Sequence, residues 1–227
     1  MKIVALTGAG ISAESGLKTF RDSNGLWEGH DVGQVATPQG FGKNPQLVLQ
    51  FYNQRRRQLQ KAVPNAAHKA LAHLEQNHTV TIITQNVDDL HERAGSTRVV
   101  HLHGELLKAR STGNPGTVLS WKGDIALGDR CSEGHQLRPH IVWFGEDVPM
   151  MGTAIAEVGT AAAILIIGTS MQVYPAAGLI RYAPQGAAIY FVDPRPSVAP
   201  LPRITVIPKK ATVGVPIAIK HIETPKE

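Results

Sequence analysis

The sequence of 227 residues predicts an α/β protein built on a doubly wound, mostly parallel sheet. Three observations carry that expectation. Short β-branched runs recur at Ile3–Thr7, Thr79–Thr84, Ile164–Gly168 and Ala188–Val192. They are near-continuously apolar, as strands are when helices cover both faces of their sheet. Stretches with helical spacing separate them, and strands alternating with helices imply parallel crossovers.

The first strand runs into the turn Gly8-Ala9-Gly10 and then, by its pattern, into a helix. Leu47, Phe51 and Leu59 share a helical face in a segment that ends before Pro64. Ala67, Leu71 and Leu74 mark a second helix, for which Asn65 is a suitable N-cap. Residues 22–77 are long for a simple crossover, and residues 108–139 are rich in Gly, Ser, Asp and Lys with weak periodicity. Both read as insertions. The expected unit spans 1–227: a large Rossmann-like lobe of about 1–21, 78–107 and 140–222, and a smaller inserted lobe of about 22–77 and 108–139.

Composition bounds the function. Hydrophobic residues make up 42% and charged residues 18%, which suits a globular chain and argues against wholesale disorder. The net charge of +5 is scattered apart from Arg55-Arg56-Arg57 and Lys209-Lys210, so it favours anionic small molecules or acidic substrates rather than nucleic acid. The single cysteine, Cys131, cannot form an internal disulfide. The opening apolar run is too short for a signal peptide, and Ala161–Ile167 is too short to span a membrane. A cytoplasmic protein without membrane partners is expected.

The glycine turn lets the backbone approach a diphosphate, and a helix start behind it would offer N–H groups to an anion. Alone it is a weak signal, because Ala13 stands at the third glycine position of the dinucleotide fingerprint, and a tight turn without a ligand would look the same. It is followed, however, by Ile11-Ser12-Ala13-Glu14-Ser15-Gly16, Thr19-Phe20-Arg21-Asp22 and Gly25-Leu26-Trp27. Then come Thr84-Gln85-Asn86-Val87-Asp88, His101-Leu102-His103-Gly104, Phe144-Gly145-Glu146, Gly168-Thr169-Ser170 and Val173-Tyr174-Pro175-Ala176. This ordered set resembles the sirtuin family, from Ile3 to about Pro216.

The resemblance implies an enzyme that removes an acyl group from a lysine side chain of a protein or peptide and consumes NAD⁺, giving nicotinamide, O-acyl-ADP-ribose and free lysine. It implies that Gly8, Ala9, Gly10, Ser12 and Glu14 line the cofactor, that Arg21 reaches its phosphates and that Phe20 covers the reacting ribose. Asn86 and Asp88 would bind the nicotinamide carboxamide, which needs a donor and an acceptor. Gln85 would hold ribose hydroxyls; Gly168, Thr169, Ser170, Asp193 and Ala211 would hold the adenosine side. His103 is the implied general base, since an imidazole titrating near ~6.5 can accept a hydroxyl proton at neutral pH. His101, two residues earlier on a strand, should face the same side and competes for the role. Val142 and Phe144-Gly145-Glu146 resemble the strand that pairs with the substrate backbone, with Val173 and Tyr174 nearby.

Some positions depart from the family. Its small lobe usually carries two Cys-x-x-Cys pairs for zinc, whereas residues 109–139 offer only Cys131. Four ligands are not available even with His135 and His140, so a zinc-free lobe held by apolar packing through Leu119, Trp121 and Ile125 is expected. Asp193 stands where Asn is common and would disfavour a 2′-phosphate, and Lys18 replaces a usual proline. Tyr52 and Arg55, three apart on one helical face, resemble the pair found in sirtuins that remove succinyl, malonyl or glutaryl groups, with Ala36 widening the pocket. A guanidinium fork and a phenol can hold a carboxylate that would otherwise not be buried. Arg56 and Arg57 read as solvated and Phe51 as core. Transfer of ADP-ribose and a non-catalytic NAD-binding module are the alternative functions.

Overall fold

The computed structural model describes residues 1–18, 26–27, 29–196 and 203–224. Among these, the elements run β1 (Lys2–Thr7), β2 (Leu26–Trp27), β3 (His30–Asp31), α1 (Val32–Val35), α2 (Pro38–Lys43), α3 (Pro45–Lys61) and α4 (Ala66–Leu74). They continue with β4 (Thr79–Thr84), α5 (Leu90–Ala94), β5 (Val99–His101), β6 (Gly104–Ser111), β7 (Val118–Ser120), β8 (Leu137–Ile141) and α6 (Met151–Val158). The last are β9 (Ala163–Ile167), β10 (Ala188–Val192), β11 (Ile204–Ile207) and α7 (Ala211–Glu223). Short 3₁₀ segments occupy Ala9–Ile11, Ala13–Ser15 and Ala176–Tyr182.

The expected α/β architecture is present. Strands β11-β10-β9-β1-β4-β5 form one parallel sheet in that order. Counted along the chain and read from the β5 edge, the six lie 3-2-1-4-5-6, the doubly wound dinucleotide order, with its switch between β1 and β9. The apolar strand residues divide by alternation. Ile3 and Ala5 pack with Leu71 of α4 and Val215 of α7; Val4 and Leu6 pack with Val158 of α6 and Leu179 on the other face. The register matters most for the site: Thr7 pairs with Thr84 and Ile167, and Ile167 pairs with Val192. Four strands end level, so residues 8, 85, 168 and 193 emerge side by side.

The smaller lobe consists of the antiparallel sheet β7-β6-β8 with α3 packed on it and α1 and α2 beside α3. Its boundaries differ from the sequence-based ones. Helix α4 packs against α7 and the large sheet, because Ala67, Leu71 and Leu74 join the core over β1 and β4. Asn65 caps α4 as expected, its Oδ1 accepting from the Ala67 N–H at 3.0 Å.

Three further expectations are corrected. The glycine turn opens two three-residue 3₁₀ turns rather than an α-helix, ended by Gly16 at φ +88°. The Gly10 N–H donates to Gly168 O at 2.8 Å, which ties this turn to the loop after β9. Leu119 is 38% exposed; the lobe core is instead Leu49, Ala109, Ile125, Cys131 and Leu137, with Phe41 and Trp121 against it. Arg56 is fully buried rather than solvated, donating from Nε to Leu106 O at 3.0 Å and from Nη1 to Asn53 Oδ1 at 2.7 Å. Burial pushes its guanidinium down to about 10, which still leaves it charged at neutral pH.

Asn53 is the polar clamp of this lobe. Its Nδ2 donates to Ile125 O and its Oδ1 accepts from the Ile125 N–H, both at 2.9 Å, tying α3 to a loop 72 residues away. Asn53→Ala strands both buried backbone groups and one arm of Arg56. The expected loss is roughly 2–4 kcal/mol in chemical denaturation. A variant as stable as the parent would show that apolar packing alone holds the lobe.

Candidate active site

A cavity of roughly 640 Å³ opens between the two lobes at the carboxyl ends of the large-sheet strands. All the site residues expected from the sequence line it, except Phe20 and Arg21, which lie outside the described residues. The level strand ends explain the convergence: the loops beginning at Gly8, Gln85, Gly168 and Asp193 are neighbours by register, as ligand-binding loops are at a topological switch point.

The glycine turn is shaped by its neighbour as much as by any ligand. A Cβ on Gly8 would stand 2.8 Å from Gly168 O and Thr169 Cβ, and one on Gly10 would stand 2.6 Å from Gly168 Cα. Side chains at either place would push the two loops apart. Gln85 Nε2 donates to Thr169 Oγ1 at 3.1 Å, and Thr169 Oγ1 also accepts from the Met171 N–H, so the loops are cross-tied. Ser170 belongs to the same turn, and Ala211 begins α7 at the far wall. Glu14 lines the cavity, but its carboxylate accepts from Thr212 N at 3.0 Å and Thr212 Oγ1 at 2.9 Å, so the side chain secures the start of α7. Asp193 is 2% exposed and accepts from the Arg195 N–H at 2.9 Å.

At the cavity floor, Ser12, Asn86 and Asp88 form one network. Ser12 Oγ donates to Asp88 Oδ2 at 2.9 Å; Asn86 Nδ2 donates to Gly8 O at 3.1 Å and to Ser12 Oγ at 3.2 Å. Both amide protons of Asn86 are thus engaged within the protein. What Asn86 can offer a carboxamide is its amide oxygen. Burial pushes the Asp88 carboxyl up to about 6, against the lowering bonds from Ser12 and the Leu90 N–H.

The two histidines of the His-Leu-His segment part company. Strand β5 ends at His101, so alternation does not carry to residue 103. His101 Nε2 meets Glu92 Oε1 at 2.6 Å and its Nδ1 meets Asn86 O at 3.3 Å, and it does not line the cavity. Burial alone would lower its pKa, but Glu92 outweighs burial and raises it. His103 Nδ1 meets Gln85 O at 2.9 Å. A carbonyl only accepts, so Nδ1 carries the proton and Nε2 is left as an unprotonated base. Burial holds the His103 pKa below the ordinary imidazole value, with the Gln85 carbonyl opposing weakly. His103 therefore stays neutral at physiological pH.

The other half of the cavity belongs to α1, α3 and the chain after β8. Ala36 ends α1 and its carbonyl accepts from the Phe144 N–H at 3.0 Å. Tyr52 and Arg55 lie three apart on α3, as their spacing required, and both are buried. Arg55 sits over the Phe51 ring at 4.5 Å and donates from Nε to Gln58 Oε1 at 3.2 Å. Residues 142–146 are not a strand: β8 stops at Ile141, and a turn with Gly145 at φ +91° follows. The N–H groups of Val142, Phe144 and Glu146 are bonded to His103, Ala36 and Trp143 carbonyls. Glu146 lies in an ion cluster with Arg110 at 2.8 Å and Arg138 at 2.7 Å. Burial would raise its carboxyl pKa, but those partners and the Trp143 N–H outweigh it and hold it low. Tyr174 stands on the rim at 65% exposed, near Val173.

Sequence reasoning passed over Gln58, Trp143 and Arg138. Gln58 was detectable as the i+3 neighbour of Arg55. Trp143 sits inside an apolar run between two chosen residues, where pattern alone gives no preference.

Among the described residues, no three His, Cys, Asp or Glu side chains gather as a metal site. Cys131 is buried in the small-lobe core, with Sγ 3.3 Å from Ser111 Oγ. No described helix is long and apolar enough to cross a membrane.

Comparison with known proteins agrees with this geometry. A Helicobacter pylori (strain ATCC 700392 / 26695) protein called NAD-dependent protein deacylase is 61% identical over 201 residues, covering 88% of each chain. The crystal structure of a Sir2 homologue–NAD complex superposes with a TM-score of 0.88 at 40% identity, over 97% of this chain and 89% of the other. A structure of Sir2 bound to an acetylated peptide gives a TM-score of 0.79 at 27% identity, over 96% and 92%. Residues 8–175 match the Sir2 family, and the chain belongs to that family, the sirtuins.

Proposed function

We propose that this chain is an NAD⁺-dependent protein-lysine deacylase whose acyl pocket is fitted to succinyl, malonyl and glutaryl groups and also accepts acetyl. The observation that carries the reading is the meeting, on one cavity, of an imidazole with a free Nε2, a glycine cradle at the sheet switch point and a buried Tyr–Arg pair. The relatives act or bind accordingly by name: a protein deacylase, a homologue holding NAD and a Sir2 holding an acetylated peptide.

NAD⁺ fits the cavity beside the glycine turn, with Gly8, Ala9, Gly10, Ser12, Gly168, Thr169, Ser170, Asp193 and Ala211 around it. When bound, it supplies a ribose carbon from which nicotinamide departs. The Asn86 oxygen and Asp88 orient the carboxamide of the leaving group. Gln85 and Thr169 hold hydroxyls in place. Nε2 of His103 takes the proton from a ribose hydroxyl, and the Gln85 carbonyl steadies the imidazolium through Nδ1–H. Arg55 and Tyr52 bind the distal carboxylate of the acyl chain.

A structural zinc does not fit this lobe, since among the described residues no three His, Cys, Asp or Glu side chains gather around Cys131, which is used in packing. The purified chain should turn over succinyl- and acetyl-lysine peptides with one nicotinamide released per lysine freed, and should contain no stoichiometric zinc by elemental analysis. Nicotinamide release without lysine release would replace this reading by hydrolase or ADP-ribose transfer chemistry. Zinc at one per chain would overturn the metal-free lobe.

A further inference from the structure

We infer that Trp143 is a positioning residue for acyl specificity: its indole N–H occupies the Tyr52 oxygen and so fixes the phenol as a donor toward the acyl carboxylate. The inference rests on the acidic-acyl reading above. Trp143 Nε1 lies 3.0 Å from Tyr52 Oη, and both side chains are buried at the cavity wall. Indole Nε1 only donates, so the phenol oxygen is the acceptor in this bond and its own proton is directed elsewhere. Among the described residues, no acceptor takes that proton. A buried O–H without an acceptor is unfavourable, and a carboxylate arriving next to Arg55 relieves that cost where an acetyl methyl does not.

The indole is not free to turn its N–H away. The Arg138 guanidinium lies over its ring 3.3 Å from the centroid, and Phe41 lies on it at 5.3 Å. Arg138 is itself held by Glu146 at 2.7 and 3.0 Å and by Ile141 O at 2.8 Å, while Glu146 also accepts from the Trp143 N–H at 2.8 Å. The ion cluster after β8 therefore reaches the acyl pocket through one indole. This gives the Glu146 side chain a task in the pocket without contact to the substrate.

The test measures the ratio of kcat/KM for succinyl-lysine over acetyl-lysine peptide, with NAD⁺ saturating, in Trp143→Phe, Tyr52→Phe, the double variant and Trp143→His. Trp143→Phe should lower the ratio about tenfold. The double variant should match Tyr52→Phe, because the indole acts only through the phenol oxygen. Trp143→His, which can present a ring N–H, should recover part of the ratio. A ratio held in Trp143→Phe but lowered in Tyr52→Phe overturns this inference and leaves the acidic-acyl reading standing. Additive losses in the double variant, or equal loss of both activities with no recovery in Trp143→His, overturn it as well. Ratios unmoved in both Tyr52→Phe and Arg55→Met remove the acidic-acyl reading itself, and the inference falls with it.

Discussion

Replacing His103 with Ala is expected to lower kcat/KM by about 10²–10⁴ for every acyl-lysine peptide, the range a positioned general base contributes. The reason is tautomeric: with Nδ1 donating to Gln85 O at 2.9 Å, Nε2 is the basic nitrogen the described site presents. His103 lines the cavity wall, so alanine is expected to enlarge the cavity there and to leave the fold in place. His101→Ala is expected to act less on turnover, because that ring is bound to Glu92 outside the cavity. Nicotinamide release under saturating NAD⁺ measures both, and a His103→Ala enzyme within a few-fold of the parent would remove the base assignment. The pH dependence carries the same sign. A base must be unprotonated, so activity is present above its pKa and fails as pH falls through it. Burial lowers the His103 value, which moves its limb to the acid side of the ordinary imidazole range. Asp88, raised to about 6 by burial, is a second group that titrates below neutral pH.

The second large effect concerns the acyl group. Arg55→Met should reduce the succinyl-to-acetyl ratio of kcat/KM by about a hundredfold or more, since a carboxylate would then enter a buried pocket without its guanidinium partner. Methionine keeps the length and apolar stem, and its contact with Phe51 replaces the present stacking at 4.5 Å. The loss should fall mainly on kcat/KM for acidic acyl chains, read from initial rates with matched peptides. Equal reduction for both peptides would mean that Arg55 supports α3 or the lobe rather than the acyl carboxylate.

Much of the fold was legible because parallel strands buried on both faces announce themselves as apolar runs. The errors came where partners distant in sequence override a local pattern. The stretch after Gly10 has helix-like residues, yet it forms two 3₁₀ turns, with the Gly10 N–H tied to the Gly168 carbonyl of a distant loop. Arg56 follows Arg55 in a basic run that reads as solvent-facing, yet Leu106 O and Asn53 draw it fully inside. On sequence alone His101 is expected to face the same side as His103 and to compete with it, and Glu92 and the end of β5 separate them.

By itself, the sequence determined the family, the doubly wound sheet and the roster of residues around the cavity, because each is written in short motifs and local periodicity. Tertiary structure decided the chemistry those residues can present: which histidine nitrogen is free, that the Asn86 amide protons are used, that Glu146 is locked in an ion cluster and that Trp143 faces Tyr52 across 91 positions. Hydrogen-bond roles depend on distance and burial among segments that the chain order does not place together, and those are settled only when the lobes close on one another.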